Sequence, residues 1–283
     1  MSTAKQSPVS DLLLGLREVR EKVGRAPKPG SPADRERQAF ARPESVATAF
    51  SQGVVATEAA VDHLHALDLL IAAQESALAP WTCARGLLEA SATATWLLDA
   101  RIDATERVGR SMAIRCATLM AQRKLANADG NAALVSTIDR RVEEVADIAT
   151  QLGYPPISDK NGRRISIGRH KPSITDLIDQ QFDLQNVYRI FSGVAHCDTV
   201  TVSQLGFETL DASPSGGIVK RLAVDLDVQR MLLAKAVEIY ARAVWLHIVQ
   251  YGCDLTDAAT ILEVAYSRCG LDDRDDVRFW RSS

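Results

Sequence analysis

The chain has 283 residues, of which 46% are hydrophobic and 24% charged, with a formal net charge of −3 and a pI near 6.0. That is enough apolar material for one large domain or two small ones. It is too little positive charge for a protein that coats nucleic acid without selectivity.

Cys83, Cys116, Cys197, Cys253 and Cys269 are odd in number, widely spaced and free of any CxxC. This argues against a disulfide framework or a structural zinc site and predicts that most are small core residues. No apolar run approaches the roughly 20 residues of a membrane span. The N-terminus lacks the basic, apolar and cleavage segments of a secretion signal. A cytoplasmic protein is the expectation.

Residues 8–23 predict a short amphipathic helix, capped by Ser10 or Asp11, with Leu12, Leu13, Leu16 and Val19 on its apolar side. Residues 24–43 hold four prolines, two glycines and many charges, the composition of a linker. Residues 1–44 therefore read as an N-terminal helix with a flexible linker, 45–270 as the main helical domain, and 271–283 as a charged tail.

Within the main domain, Ala60, Leu64, Leu67 and Ile71 keep helical spacing across residues 45–78. Asp62, His63, His65 and Asp68 resemble a metal set, but helix positions two apart point about 200° apart, so His63 and His65 do not share one ion. No metal is expected. Pro80 suits the first turn of a helix over 81–100. Its small residues Ala90, Ser91, Ala92 and Ala94 place it at the bundle centre. Arg85 and Glu89 lie at i and i+4 on it. On the surface such a pair contributes a few tenths of a kcal/mol; buried, both groups demand partners. The surface reading is the simpler one.

Helices follow at 104–127, with Val108, Met112, Cys116 and Leu119 inward and Arg107, Arg110, Arg115 and Arg123 on solvated faces, and at 132–152, with Leu134, Ile138, Val142, Val145 and Ala149 inward. Residues 153–172 carry turn residues and five Lys/Arg against one Asp. Asn161-Gly162 suits the tip of a small hairpin. Arg163, Arg164, Arg169 and Lys171 are candidate phosphate-binding groups; a mobile charged loop is the alternative.

Ser173 caps a short helix to Gln180. A further helix spans Gln185–Asp198. The β-branched run at 200–210, the turn at 212–217 and the run at 218–224 predict a two-stranded hairpin. A long helix covers 225–251, with Leu233, Val237, Tyr240, Val244, Ile248 and Tyr251 in register and His247 at the core edge. A last helix runs from Asp254 or Thr256 to about Arg268.

The Gln185–Asp198 segment, QNVYRIFSGVAHCD, has Val187, Ile190, Phe191 and Val194 on one apolar stripe. Arg189 and His196 are two turns apart, almost opposite that stripe, with Ser192 between them. Such a trio faces water, a cleft or another subunit.

An Arg separated from a His by four to six residues on a helix is the signature of the HEPN superfamily of helical bundles, and Arg189-Ile-Phe-Ser-Gly-Val-Ala-His196 fits with six. The chain also resembles a bacterial group near HEPN in which an RxLLE helix with a downstream Trp precedes a Tyr-Arg…Ser…His helix. Here these are Arg85-Gly-Leu-Leu-Glu89 with Trp96, and Tyr188-Arg189 with Ser192 and His196. The resemblance covers roughly residues 45–250.

Helical spacing along the chain predicts a mainly all-α bundle of about six to eight helices with a small β-hairpin or loop insertion, and the resemblance agrees with it. The resemblance also implies cofactor-free, metal-independent RNA cleavage at a composite site on a two-fold homodimer. Arg189, His196 and Ser192 would be catalytic, with Arg85, Glu89 and Tyr188 supporting. A toxin or phage-defence role with an antitoxin or regulatory partner goes with that reading. In nuclease members a polar residue typically follows the Arg; here Ile190 stands there. The second expectation is a non-catalytic helical module that binds a partner protein or a nucleotide.

Overall fold

The structure, a computed structural model, describes residues 26–158, 160, 164–212 and 218–254, with positions 256, 259, 260, 263 and 264 beyond. The expected helix at 8–23, the Asn161-Gly162 tip, residues 213–217, Cys269 and the tail lie outside the described residues. The fold is mainly helical: nine helices and two small antiparallel sheets among the described residues.

The first helix, α1 (Pro32–Ala39), lies in the stretch whose composition reads as linker. Its local signals are strong. The Ser31 hydroxyl accepts the Asp34 amide at 3.3 Å, Pro32 occupies the first turn, and Asp34 takes the Gly30 amide at 2.9 Å. It packs on α2 (Pro43–Ala73). Next comes α3 (Ala79–Leu98), which touches α2, and later elements on its other sides. Leu87, Leu88, Ala92, Trp96, Leu97 and Leu98 are all buried, so α3 is the bundle's axis, as its small residues predict.

Asp103 caps α4 (Ala104–Ala128) and Asn131 caps α5 (Ala132–Gln151). Val108, Met112 and Cys116 face the core, as do Ile138, Val142, Val145 and Ala149, while Leu134 is 45% exposed in the first turn of α5. Arg107, expected on a solvated face, is instead fully buried. It donates to Glu36 of α1 at 2.9 and 3.0 Å and to the carbonyls of Leu97, Asp99 and Ile102, and it stacks 4.5 Å from the Phe50 ring centroid. The charge is tolerated because each of its three nitrogens donates to an acceptor, Glu36 among them. It ties α1 and the C-terminal end of α3 to α4.

Strands β1 (Pro156–Ser158) and β2 (Arg164–Ile167) form the first hairpin, packed on α4. Ser173 caps α6 (Ile174–Phe182), and α7 (Gln185–Ala195) follows. Thr199–Leu205 is a helix, α8, not the start of a strand. The Asp198 carboxylate accepts the Thr201 amide at 2.8 Å, and this cap outweighs the β-branched residues. Strand β3 (Phe207–Ala212) begins after Gly206 and pairs with β4 (Ile218–Leu222). The long α9 (Leu226–Tyr251) buries the expected stripe and returns to α3 and α2. His247 is buried, edge-on to Tyr251 at 4.5 Å. No described helix is long and apolar enough to cross a membrane.

Candidate functional site

The site forms where α7 lies across α3. Phe191 of α7 meets Trp81 of α3 edge to face, with centroids 5.8 Å apart, and Tyr188 and Val194 are buried beside it. The inward face of α7 is thus Tyr188, Phe191 and Val194. Ile190, expected on the apolar stripe, is 43% exposed. The helix is rolled toward Tyr188 because that ring offers apolar area and a hydroxyl with partners waiting on α3.

Those partners are Arg85 and Glu89. Arg85 Nε donates to Glu89 Oε1 at 2.7 Å, and the Tyr188 hydroxyl donates to the same oxygen at 2.9 Å. Arg85 Nη2 reaches the Tyr188 oxygen at 3.4 Å, with its guanidinium 5.6 Å from the ring centroid. Arg85 Nη1 stands 3.3 Å from His196 Nε2. The Arg85 and Glu89 side chains are 22% and 34% exposed. They are therefore not an ordinary surface pair; they are half-buried and bridge two helices. The network is closed at Tyr188 and open at His196, which is exposed.

Burial pushes the Tyr188 hydroxyl above its ordinary value, Glu89 adds to that, and Arg85 opposes it. Tyr188 therefore stays a neutral donor. Burial alone would lower Arg85, but the hydrogen bonds to Glu89 and Tyr188 and the Glu89 charge outweigh it and the net shift is upward. The cation is fixed and permanent.

Arg189 is exposed on α7 and makes no ion pair or hydrogen bond with any described residue. Two turns of helix place it about 10 Å along the axis from His196. Ser192 is half-buried, and its carbonyl accepts the His196 amide at 2.9 Å where the helix ends. Arg169 turns to α4 and pairs with Glu106. Arg163 and the side chain of Arg164 lie outside the described residues. Cys197, expected in the core, is exposed with φ of 56° directly after His196.

Lys171 lines a groove of about 990 Å³ between α2, α3 and α4. Ala47, Ser51, Val55 and Ala59, spaced by four along α2, form one wall, and Glu89 stands on the other; Arg189 and His196 are not among its lining residues. Gly86 lets the His63 imidazole lie on α3, because a Cβ there would stand 2.5 Å from the ring. His65 is exposed and Asp68 buried, so the histidine-aspartate set on α2 faces several directions. The groove was not foreseen, although the four-residue spacing of small side chains on α2 was its readable signal.

Comparison of the chain with models of protein families, with curated proteins and with solved structures found no match.

Proposed function

We propose that this chain is a HEPN-type, metal-independent endoribonuclease that acts as a homodimer, with Arg189, Ser192 and His196 of α7 at the cleavage site. One observation carries the reading. Two polar motifs, with Arg85 and His196 separated by 111 positions, converge in a network that is anchored inside the bundle and open at its imidazole. A pair kept only for packing has no need of an exposed end, nor of an outward arginine two turns back on the same helix.

The chemistry follows from the side chains. His196 takes the proton of a ribose 2′-hydroxyl as that oxygen attacks the adjacent phosphorus. The bond to the 5′-oxygen breaks, and the imidazole of a second copy protonates the leaving oxygen. The guanidinium of Arg189 holds the phosphoryl oxygens as negative charge gathers. The products are a 2′,3′-cyclic phosphate and a 5′-hydroxyl. Lys171, Arg163 and Arg164, from the basic stretch of the sequence, are candidate groups for further contact with the RNA backbone. A cytoplasmic toxin or phage-defence effector, restrained by an antitoxin or regulatory protein, is the role that fits.

The test is incubation with mixed RNAs in the presence of chelator. Wild-type protein cleaves, and His196→Ala loses at least about 100-fold in rate with an unchanged circular dichroism spectrum. RNA left intact by the wild type, alone and with candidate activators, refutes the proposal.

The groove supports a second reading, a non-catalytic module for a helical partner protein. It offers a largely apolar trough that Arg189 and His196 do not line. On that reading Val55→Asp abolishes partner capture and His196→Ala leaves it unchanged.

A further inference from the structure

A neutral imidazole carries one lone-pair nitrogen, whereas a guanidinium only donates. With Arg85 Nη1 at 3.3 Å from His196 Nε2, Nε2 is the acceptor and the ring proton sits on Nδ1. In the free protein that nitrogen therefore faces the Arg85 donor rather than an open edge. Arg85 is itself held, through Nε by Glu89 and through Nη2 by Tyr188.

The three contacts of Arg85 are unequal. The bond to the Glu89 carboxylate is 2.7 Å and that to the neutral ring is 3.3 Å. A negatively charged oxygen is a stronger acceptor for a guanidinium than a neutral imidazole. His196 lies at the exposed edge, so such an oxygen can reach the Nη1 donor without disturbing Glu89 or Tyr188.

We propose that Arg85 is an anion-operated latch on His196. At rest it occupies Nε2; a phosphoryl oxygen that takes over Nη1 releases the ring for proton exchange at that nitrogen. Arg85 is thus a positioning residue, and the ligand class is a phosphoryl oxyanion, supplied by inorganic phosphate or by an RNA phosphodiester. The latch gains its purpose from the nuclease reading above, but its own test needs no cleavage.

That test is long-range ¹H–¹⁵N correlation of the full-length protein at about pH 8, where ordinary histidines are neutral. His196 is identified by difference from His196→Gln. The free protein shows the Nδ1–H tautomer in the majority. Adding inorganic phosphate, or a 2′-deoxy dinucleotide that resists cleavage, inverts the ratio toward Nε2–H. A response to the dinucleotide alone also supports the latch and selects the phosphodiester.

Arg85→Lys keeps the charge but lacks the fork. It shows Nε2–H from the start and does not respond to either ligand. Glu89→Gln, which loosens the anchor of Arg85, gives a mixed ratio at rest. An Nε2–H majority in the free wild type, or a ratio that neither ligand moves, overturns the latch. A tautomer response in a protein that leaves RNA intact supports the latch while refuting the nuclease. Cleavage without a tautomer response does the reverse.

Discussion

Replacing Arg107 by Met keeps most of the side-chain volume and removes the charge. Arg107 is fully buried, and its two bonds to Glu36, at 2.9 and 3.0 Å, are joined by those to three carbonyls around the end of α3. Breaking one side of a buried pair costs about 3–5 kcal/mol, because the remaining charge stays desolvated. The Glu36 side chain is 21% exposed and recovers some water, so the lower figure, about 3 kcal/mol, applies. A domain of this size shifts its midpoint by about 2–4 °C per kcal/mol, which predicts a drop of roughly 6–12 °C by circular dichroism. Glu36→Met in addition removes the stranded carboxylate, so the double variant is less damaged than the sum of the singles by about 1–2 kcal/mol. An Arg107→Met protein within about 1 kcal/mol of wild type, or strict additivity in the cycle, refutes the buried-pair account.

Three further outcomes follow from the packing and the titrating groups. Gly53→Ala places a Cβ 2.7 Å from the Leu98 side chain, itself fully buried; overpacking outweighs the roughly 1 kcal/mol gain in helix propensity, and urea unfolding shows a net loss of about 1 kcal/mol. Tyr188→Phe deletes the hydroxyl that bridges Glu89 and Arg85; it lowers stability by about 1.5 kcal/mol and raises amide exchange in α7 relative to α3. Burial, helped by the charges of Asp103 and Glu106, pushes the Tyr154 hydroxyl up to about 12. Its raised value favours the folded state fully below about pH 10, the unfolded value, and that contribution disappears as pH rises from about 10 to about 12. Tyr154→Phe, which also loses the bond to the Thr105 carbonyl, flattens this alkaline step in a stability profile against pH.

The helices were legible wherever apolar residues repeat along one face. Val237, Tyr240, Val244 and Ile248 of α9 all point inward as their spacing says. The second hairpin was signalled by turn residues between short β-like runs, the first only by Asn161-Gly162. Composition misled at α1, where prolines and charges obscured a Ser-Pro-x-Asp cap that specifies a helix start.

Periodicity also left the roll of α7 ambiguous. Val187, Ile190, Phe191 and Val194 make one plausible stripe, and Tyr188, Phe191 and Val194 make another. Only the Arg85–Glu89 pair on a distant helix decides between them, and local spacing carries no information about it. The burial of Arg107 was hidden for the same reason: its acceptors come from α1 and from the end of α3. The two site motifs were visible as separate strings of residues; their meeting is a tertiary fact.

The central claim is that the imidazole at the end of α7 takes part in cleavage by the ribose 2′-hydroxyl. The most direct measurement is mass spectrometry of the fragment ends after wild-type protein has acted on a defined single-stranded RNA in chelator. The account predicts 2′,3′-cyclic phosphate and 5′-hydroxyl ends, absent with His196→Ala. Uncleaved RNA, ends bearing a 3′-hydroxyl and a 5′-phosphate, or the same products from the His196→Ala protein would contradict it.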